Sequence, residues 1–253
     1  PPDPPADAKP ADDAADDNSA ANTADTGDPV ARVETDKEPP PDPDVAQKPY
    51  LPDWADRSRL DTERNGLAVV KVALPAKIGP NARPPTVTLK SYLDKLPAAG
   101  GVLELPAGGP FELNLAELAD RERIVIKAAD PTHPAVYIRQ HPSRPVGLHV
   151  AAKLLEFDGL DLFFQLAGDA PAEQAVMLRI VDGDLLLRNC SVQVVGDSPA
   201  PVVAFNLVRS APSASTPAAR LLIDRTVVLG PNLTAARVEV ANADLVVRDS
   251  LLV

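Results

Sequence analysis

The sequence predicts an all-β fold: a parallel β-solenoid, capped at its N-terminal end by a short helix and preceded by a disordered tail. Three observations carry this. A segment of eight residues recurs four times without a gap, at intervals of 30, 36 and 24 residues. Each copy is too short for a helical stripe and rich in Val, Leu and Ile, as strands are. The charge is also segregated, since residues 1 to 56 hold 15 acids and 4 bases whereas residues 57 to 253 hold 21 of each.

The tail therefore carries the whole net charge of −11. Its runs (PPDPPADAKPADDAADDNSAANTADTGDPV, then EPPPDPDVAQKP) mix Pro, Asp and Ala with almost no large apolar side chains. Such a segment cannot bury enough surface to offset its ordering entropy, so residues 1–56 read as a self-repelling linker. Tyr50 and Trp54 mark where the chain first meets the folded part. An acidic tail on a neutral body argues against nucleic acid and anionic membrane surfaces as partners. No apolar run reaches the roughly 18 residues of a membrane span. The only methionine is Met177, so the natural start, with any signal or anchor, is expected upstream. Cys190, the one cysteine, excludes an intramolecular disulfide and a thiolate metal cluster and leaves the redox compartment unread.

Residues 57–253 are enough for one domain with a sizeable core. Its first element is TLKSYLDKL, where Leu89, Tyr92, Leu93 and Leu96 fall at i, i+3, i+4 and i+7, with Thr88 placed to cap the helix and Pro97 to end it. Ala99-Gly100-Gly101 then turns the chain into the strand Val102–Leu105, closed by PAGG.

The repeat follows. LEFDGLDL (155–162) lies over LLLRNCSV (185–192), LLIDRTVV (221–228) and LVVRDSLL (245–252), with Ile124-Val125-Ile126 a weaker, earlier copy. An upstream piece repeats as well: Leu148 and Val150 precede Leu178 and Ile180 by thirty residues, and these precede Val238 and Val240 by sixty. Periods in this range mean a solenoid. Stacked, the copies give apolar columns Leu155/Leu185/Leu221/Leu245, Phe157/Leu187/Ile223/Val247 and Leu162/Val192/Val228/Leu252. Period two places all three on the inner face. Between them runs Asp158/Arg188/Asp224/Arg248, alternating in sign and read as an exposed ion-pair ladder. Gly159/Asn189/Arg225/Asp249 reads as a corner that tolerates left-handed dihedrals. Cys190 stacks with Leu160, Thr226 and Ser250 as a small inert thiol.

The run from Thr86 to Gly109, a short helix followed by GGVLELPAGG, resembles the N-terminal cap and first coil of right-handed parallel β-helix proteins of the pectin lyase-like type. LRIVDGDLLLRNCSV and VEVANADLVVRDSLL resemble their later coils. The resemblance covers residues 86–253 and implies a fold that hosts lyases, glycoside hydrolases, epimerases and adhesins. It also implies a bacterial source in which similar modules sit in large multi-domain proteins, some behind a protein kinase and a membrane anchor.

Chemistry is thin. The Asn-Thr-Asp, Asp-Asp, Gly-His-Gly and Arg-Ile-Lys motifs expected of a polygalacturonase-like enzyme are absent. Glycoside cleavage needs two facing carboxylates, one to protonate the leaving oxygen and one to activate water. The candidates are Asp158 with Asp161 and Asp182 with Asp184, and a lyase-like calcium site would draw on Asp158, Asp161 and Asp184 near Arg188. His133, His141 and His149 lie at intervals of eight in Pro-rich connections, a spacing that favours surface or turn roles over a three-histidine metal site. No phosphate loop, nucleophile elbow or zinc spacing occurs. Asn189-Cys190-Ser191 and Asn232-Leu233-Thr234 match the glycosylation pattern, of little weight in a bacterial chain.

The reading expected from this is a non-catalytic β-helical binding or spacer module, extracytoplasmic or at the cell surface, needing no cofactor or metal and facing a carbohydrate or protein surface. The alternatives are a polysaccharide lyase or hydrolase using Asp158, Asp161, Asp182 and Asp184, and the sensor region of a membrane-anchored kinase. The outward columns Glu156/Leu186/Leu222/Val246 and Asp161/Ser191/Val227/Leu251 turn apolar toward the C-terminal end. The sequence therefore predicts downstream coils or a further domain, with Ser210–Arg220 or a partner covering part of the strip.

Overall fold

The computed structural model describes residues 51–75, 85–113, 117–118, 121–168, 174–197, 200–210 and 217–253. The tail through residue 50 and residues 211–216 of the expected covering loop lie outside them. Three sheets form, and every strand pairing in them is parallel. The first sheet holds Ala68–Lys71, Gly101–Leu105, Arg123–Ala128, Leu154–Asp158, Asp184–Arg188, Ala219–Asp224 and Ala243–Arg248. The second holds Val87–Thr88, Phe111–Glu112, Ala135–Arg139, Asp161–Gln165, Ser191–Val195, Val227–Leu229 and Leu251–Leu252. The third holds Glu117–Leu118, Val146–Val150, Ala175–Val181, Val202–Val208 and Leu233–Glu239. From Ala135 onward the chain visits the sheets in rotation, so two sheets supply the crossover that a parallel pair in the other requires. The arrangement is consistent with a parallel β-solenoid.

The repeat alignment is the register of the sheets. Leu155, Leu185, Leu221 and Leu245 are successive partners, as are Phe157, Leu187, Ile223 and Val247, and Leu162 and Val192 with Val228 and Leu252. Ile124 and Ile126 sit one rung earlier, paired with Leu155 and Phe157. These columns are buried, and each side chain contributes about 1.5–3 kcal/mol of apolar burial. On the last rung the same columns open to solvent: Leu245, Val247 and Leu252 are 55%, 41% and 43% exposed. The corner column is left-handed throughout, with φ of 69° at Gly159, 50° at Asn189, 49° at Arg225 and 48° at Asp249. It turns the chain from the first sheet into the second within two residues.

Two local expectations are corrected. In the third sheet Leu178 pairs with Phe205 and then Ala236, and Ile180 with Leu207 and then Val238, so the alignment of Leu178 with Val238 is two residues off and skips a strand. The cause is a break in alternation: Ala175, Met177, Leu178 and Ile180 all face the core, as do Val202, Ala204, Phe205 and Leu207. In TLKSYLDKL, Thr88 lies in a strand paired with Glu112 instead of capping a helix. The helix is reduced to Lys90–Leu93, and Leu89, Leu93 and Leu96 are buried in the main core.

Candidate functional site

The four candidate carboxylates are each engaged locally. Asp158, at the end of a first-sheet strand, accepts from Arg64 Nη1 at 2.8 Å and Asn189 Nδ2 at 2.9 Å. Asp161 begins the adjoining strand of the second sheet, where it accepts from Ser191 Oγ at 2.6 Å with His133 Nδ1 3.8 Å away. Asp182 sits in a left-handed turn (φ 58°) and accepts from the backbone N–H and hydroxyl of Ser210, which hold its carboxyl below the usual range. Asp184 accepts from the Arg220 N–H at 3.0 Å, and burial pushes its carboxyl up. Asp184 and Asp158 stand at opposite ends of the first-sheet register, four residues apart, roughly 13 Å along a strand. Asp158 and Asp161 belong to different sheets.

The histidines are also separate. His133 occupies a left-handed turn, His141 is exposed beside Ser143 Oγ at 2.8 Å, and His149 pairs in the third sheet with Arg179. Among the described residues no group of three or more His, Cys, Asp or Glu is placed to hold a metal ion. Cys190 is buried, and its burial pushes the thiol up to about 12, which removes the thiolate needed for reactivity.

The densest constellation lies on the outer face of the first sheet, on the charged column and apolar strip that the repeat alignment marks out. A 3-10 turn (Asp53–Ala55) and helix α1 (Arg57–Arg64) lie against it. Asp56 caps α1 by accepting from the Arg59 N–H at 3.1 Å. Arg57, Asp61 and Arg64 recur at i, i+4 and i+7, one face of a helix. Arg57 donates to Asp224 through Nε at 2.8 Å and Nη2 at 2.6 Å. Asp61 accepts from Arg188 Nη1 at 2.9 Å. Arg64 spans Glu156 and Asp158. Asp158, Arg188 and Asp224 occupy three successive rungs. Steps of four and three residues along a helix rise about 6 and 4.5 Å, close to the roughly 4.8 Å between rungs. The charges of α1 thus answer those of the ladder, rung by rung.

At one end Glu156, with no side-chain exposure, meets three guanidinium groups: Arg64, Arg123 at 3.2 Å and Arg188 at 3.5 Å. At the other, Asp224 is held by Arg57 on one side and by Arg248, at 2.8 Å from both Nε and Nη2, on the other. Leu60 and Ala55 bury Leu186 and Leu222, with Leu51, Trp54, Leu154 and Val246 packed around them. The Trp54 ring lies 5.7 Å from the Arg220 guanidinium.

Two expectations are corrected here. The ladder Asp158/Arg188/Asp224/Arg248 is in register but not exposed, since Arg188 and Asp224 retain 5% and 1% of their surface, and its neighbours do not all pair: Arg248 bridges Asp224, whereas Arg188 turns to Asp61 and Glu156. Residues 51–64 cover Leu186 and Leu222 of the apolar strip and leave Val246 partly buried; residues 211–216 of the loop expected there lie outside the described residues.

Two hollows border α1. One, about 50 Å³, is lined by Trp54, Glu63, Asp184, Leu186 and Arg220 among others, well under the roughly 300–1,000 Å³ of ligand pockets. The other, about 390 Å³, is an open groove along Leu51, Arg57, Arg248 and Asp249, whose two arginines are already committed to Asp224. No helix among the described residues is long and apolar enough to cross a membrane. The chain matches no family model, no curated protein and no solved structure.

A pH dependence follows from Asp224. Burial alone would push its carboxyl up, but the hydrogen bonds from Arg248 and Arg57 outweigh that and hold it well below the usual range. A folded value below the unfolded one, about 3.9, means stability that is full above that value and is lost as pH falls through the folded value. Acid titration of unfolding should therefore show stability falling below about pH 4, and Asp224→Asn should remove part of that slope.

Proposed function

We propose that this chain is a non-catalytic binding or spacer module, a right-handed parallel β-helix of the pectin lyase-like type from an extracytoplasmic bacterial protein. The observation that carries the reading is that each of Asp158, Asp161, Asp182 and Asp184 is spent on a local partner. A glycosidase or lyase needs carboxylates free to exchange protons or hold calcium beside a substrate-sized groove. A spacer needs a stiff stack of strands, which the columns of buried Leu, Ile, Val and Phe supply. The acidic Pro-rich tail suits a linker outside the folded part. The sensor region of a membrane-anchored kinase is the same module in another setting.

The test is incubation with polygalacturonate and other acidic polysaccharides, with and without calcium, while following new reducing ends and unsaturated products. No cleavage is expected. Turnover abolished by Asp158→Ala or Asp161→Ala would replace this reading with the enzyme.

A further inference from the structure

We propose that the outer face of the first sheet is a docking surface for a short helix bearing positive, negative and positive charge at i, i+4 and i+7 with a leucine among them, and that α1 is its exchangeable occupant. The surface exists independently of α1, because the strand register alone sets Asp158, Arg188 and Asp224 on consecutive rungs. The helix does not exist independently of the surface. Eight residues with one buried side chain of their own, Leu60, are too few to stay helical in water.

The attachment is made by side chains. Among the described residues no backbone hydrogen bond ties 51–64 to a strand of the sheet, and the ties are the ion pairs to Asp224, Arg188, Glu156, Asp158 and Arg123. Lifting α1 leaves the strand pairing of every rung intact and bares Leu186, Leu222 and Val246, an apolar strip rimmed by alternating charges, the usual anatomy of an interaction patch. Charge complementarity defines the occupant. A helix with the signs reversed would set a cation against Arg188 and anions against Glu156 and Asp224, a repulsive mismatch on three rungs. The inference is independent of whether the module is catalytic.

The experiment uses the full chain with Leu60→Asp and Arg57→Ala, which weaken α1 in place, and a fluorescein-labelled peptide of residues 51–64 followed by anisotropy. The peptide should bind this variant one to one, and the unaltered chain at least about tenfold more weakly because the tethered α1 competes. A peptide carrying Arg57→Asp, Asp61→Arg and Arg64→Asp should bind the variant at least about tenfold more weakly than the native peptide. Equal binding of the two peptides, or none by either, overturns the proposal. Loss of the β-sheet circular dichroism in the variant overturns it too, since the surface must stand without its helix. In the unaltered chain, amides of 57–64 should exchange with solvent well before those of 184–188; simultaneous exchange would contradict an independently opening helix.

Discussion

Glu156→Ala is expected to lower the stability of the folded chain by about 3–5 kcal/mol, because it removes the one fully buried carboxylate on which Arg64, Arg123 and Arg188 converge and leaves each of them only a more exposed acid, Asp158, Glu63 and Asp61 in turn. Arg188→Ala should cost less, about 1.5–3 kcal/mol, since Glu156 keeps two guanidinium partners. Denaturant unfolding followed by fluorescence reads both, and the chain's only tryptophan, Trp54, lies on the covering segment itself. Similar small losses from both substitutions would mean that the cluster is solvated.

The next residue gives a loss of similar size for a different reason. Phe157 faces the opposite way, fully buried between Ile126 and Leu187, and Phe157→Ala should cost about 3–5 kcal/mol as an unfilled cavity. That loss should be insensitive to salt, because no charge is involved, whereas part of the Glu156 loss should shrink as salt screens the arginines. Circular dichroism at low and high ionic strength separates the two. A salt-dependent loss at Phe157 would contradict the assignment of inner and outer faces.

The stacking was legible because its signals are local. Alternation at Leu155, Phe157 and their copies sets the faces, and a Gly, Asn or Asp at three of four corners marks the left-handed turn, which Arg225 then adopts because its neighbours impose it. The third sheet was harder. Its strands present two consecutive side chains, Met177 and Leu178, to the core, so a fixed spacing loses the register there. Of the covering segment only Trp54 was legible, as the place where the chain meets the folded part. RSRLDTER has one apolar residue and reads as a solvated helix. What places it is complementarity with charges far along the chain, as in Arg57 and Asp224, 167 residues apart. The matching signs at 57, 61, 64 and at 158, 188, 224 are present in the sequence, but only the structure shows that they meet.

The central claim, that α1 is held by reading the ladder, is tested most directly by a double-mutant cycle on Arg57→Ala and Asp224→Ala, measured by denaturant unfolding. Two residues in contact should couple by about 0.5–3 kcal/mol, so that the double variant loses less than the sum of the singles. Additivity within about 0.3–0.5 kcal/mol would mean that the two side chains do not meet and that α1 lies elsewhere.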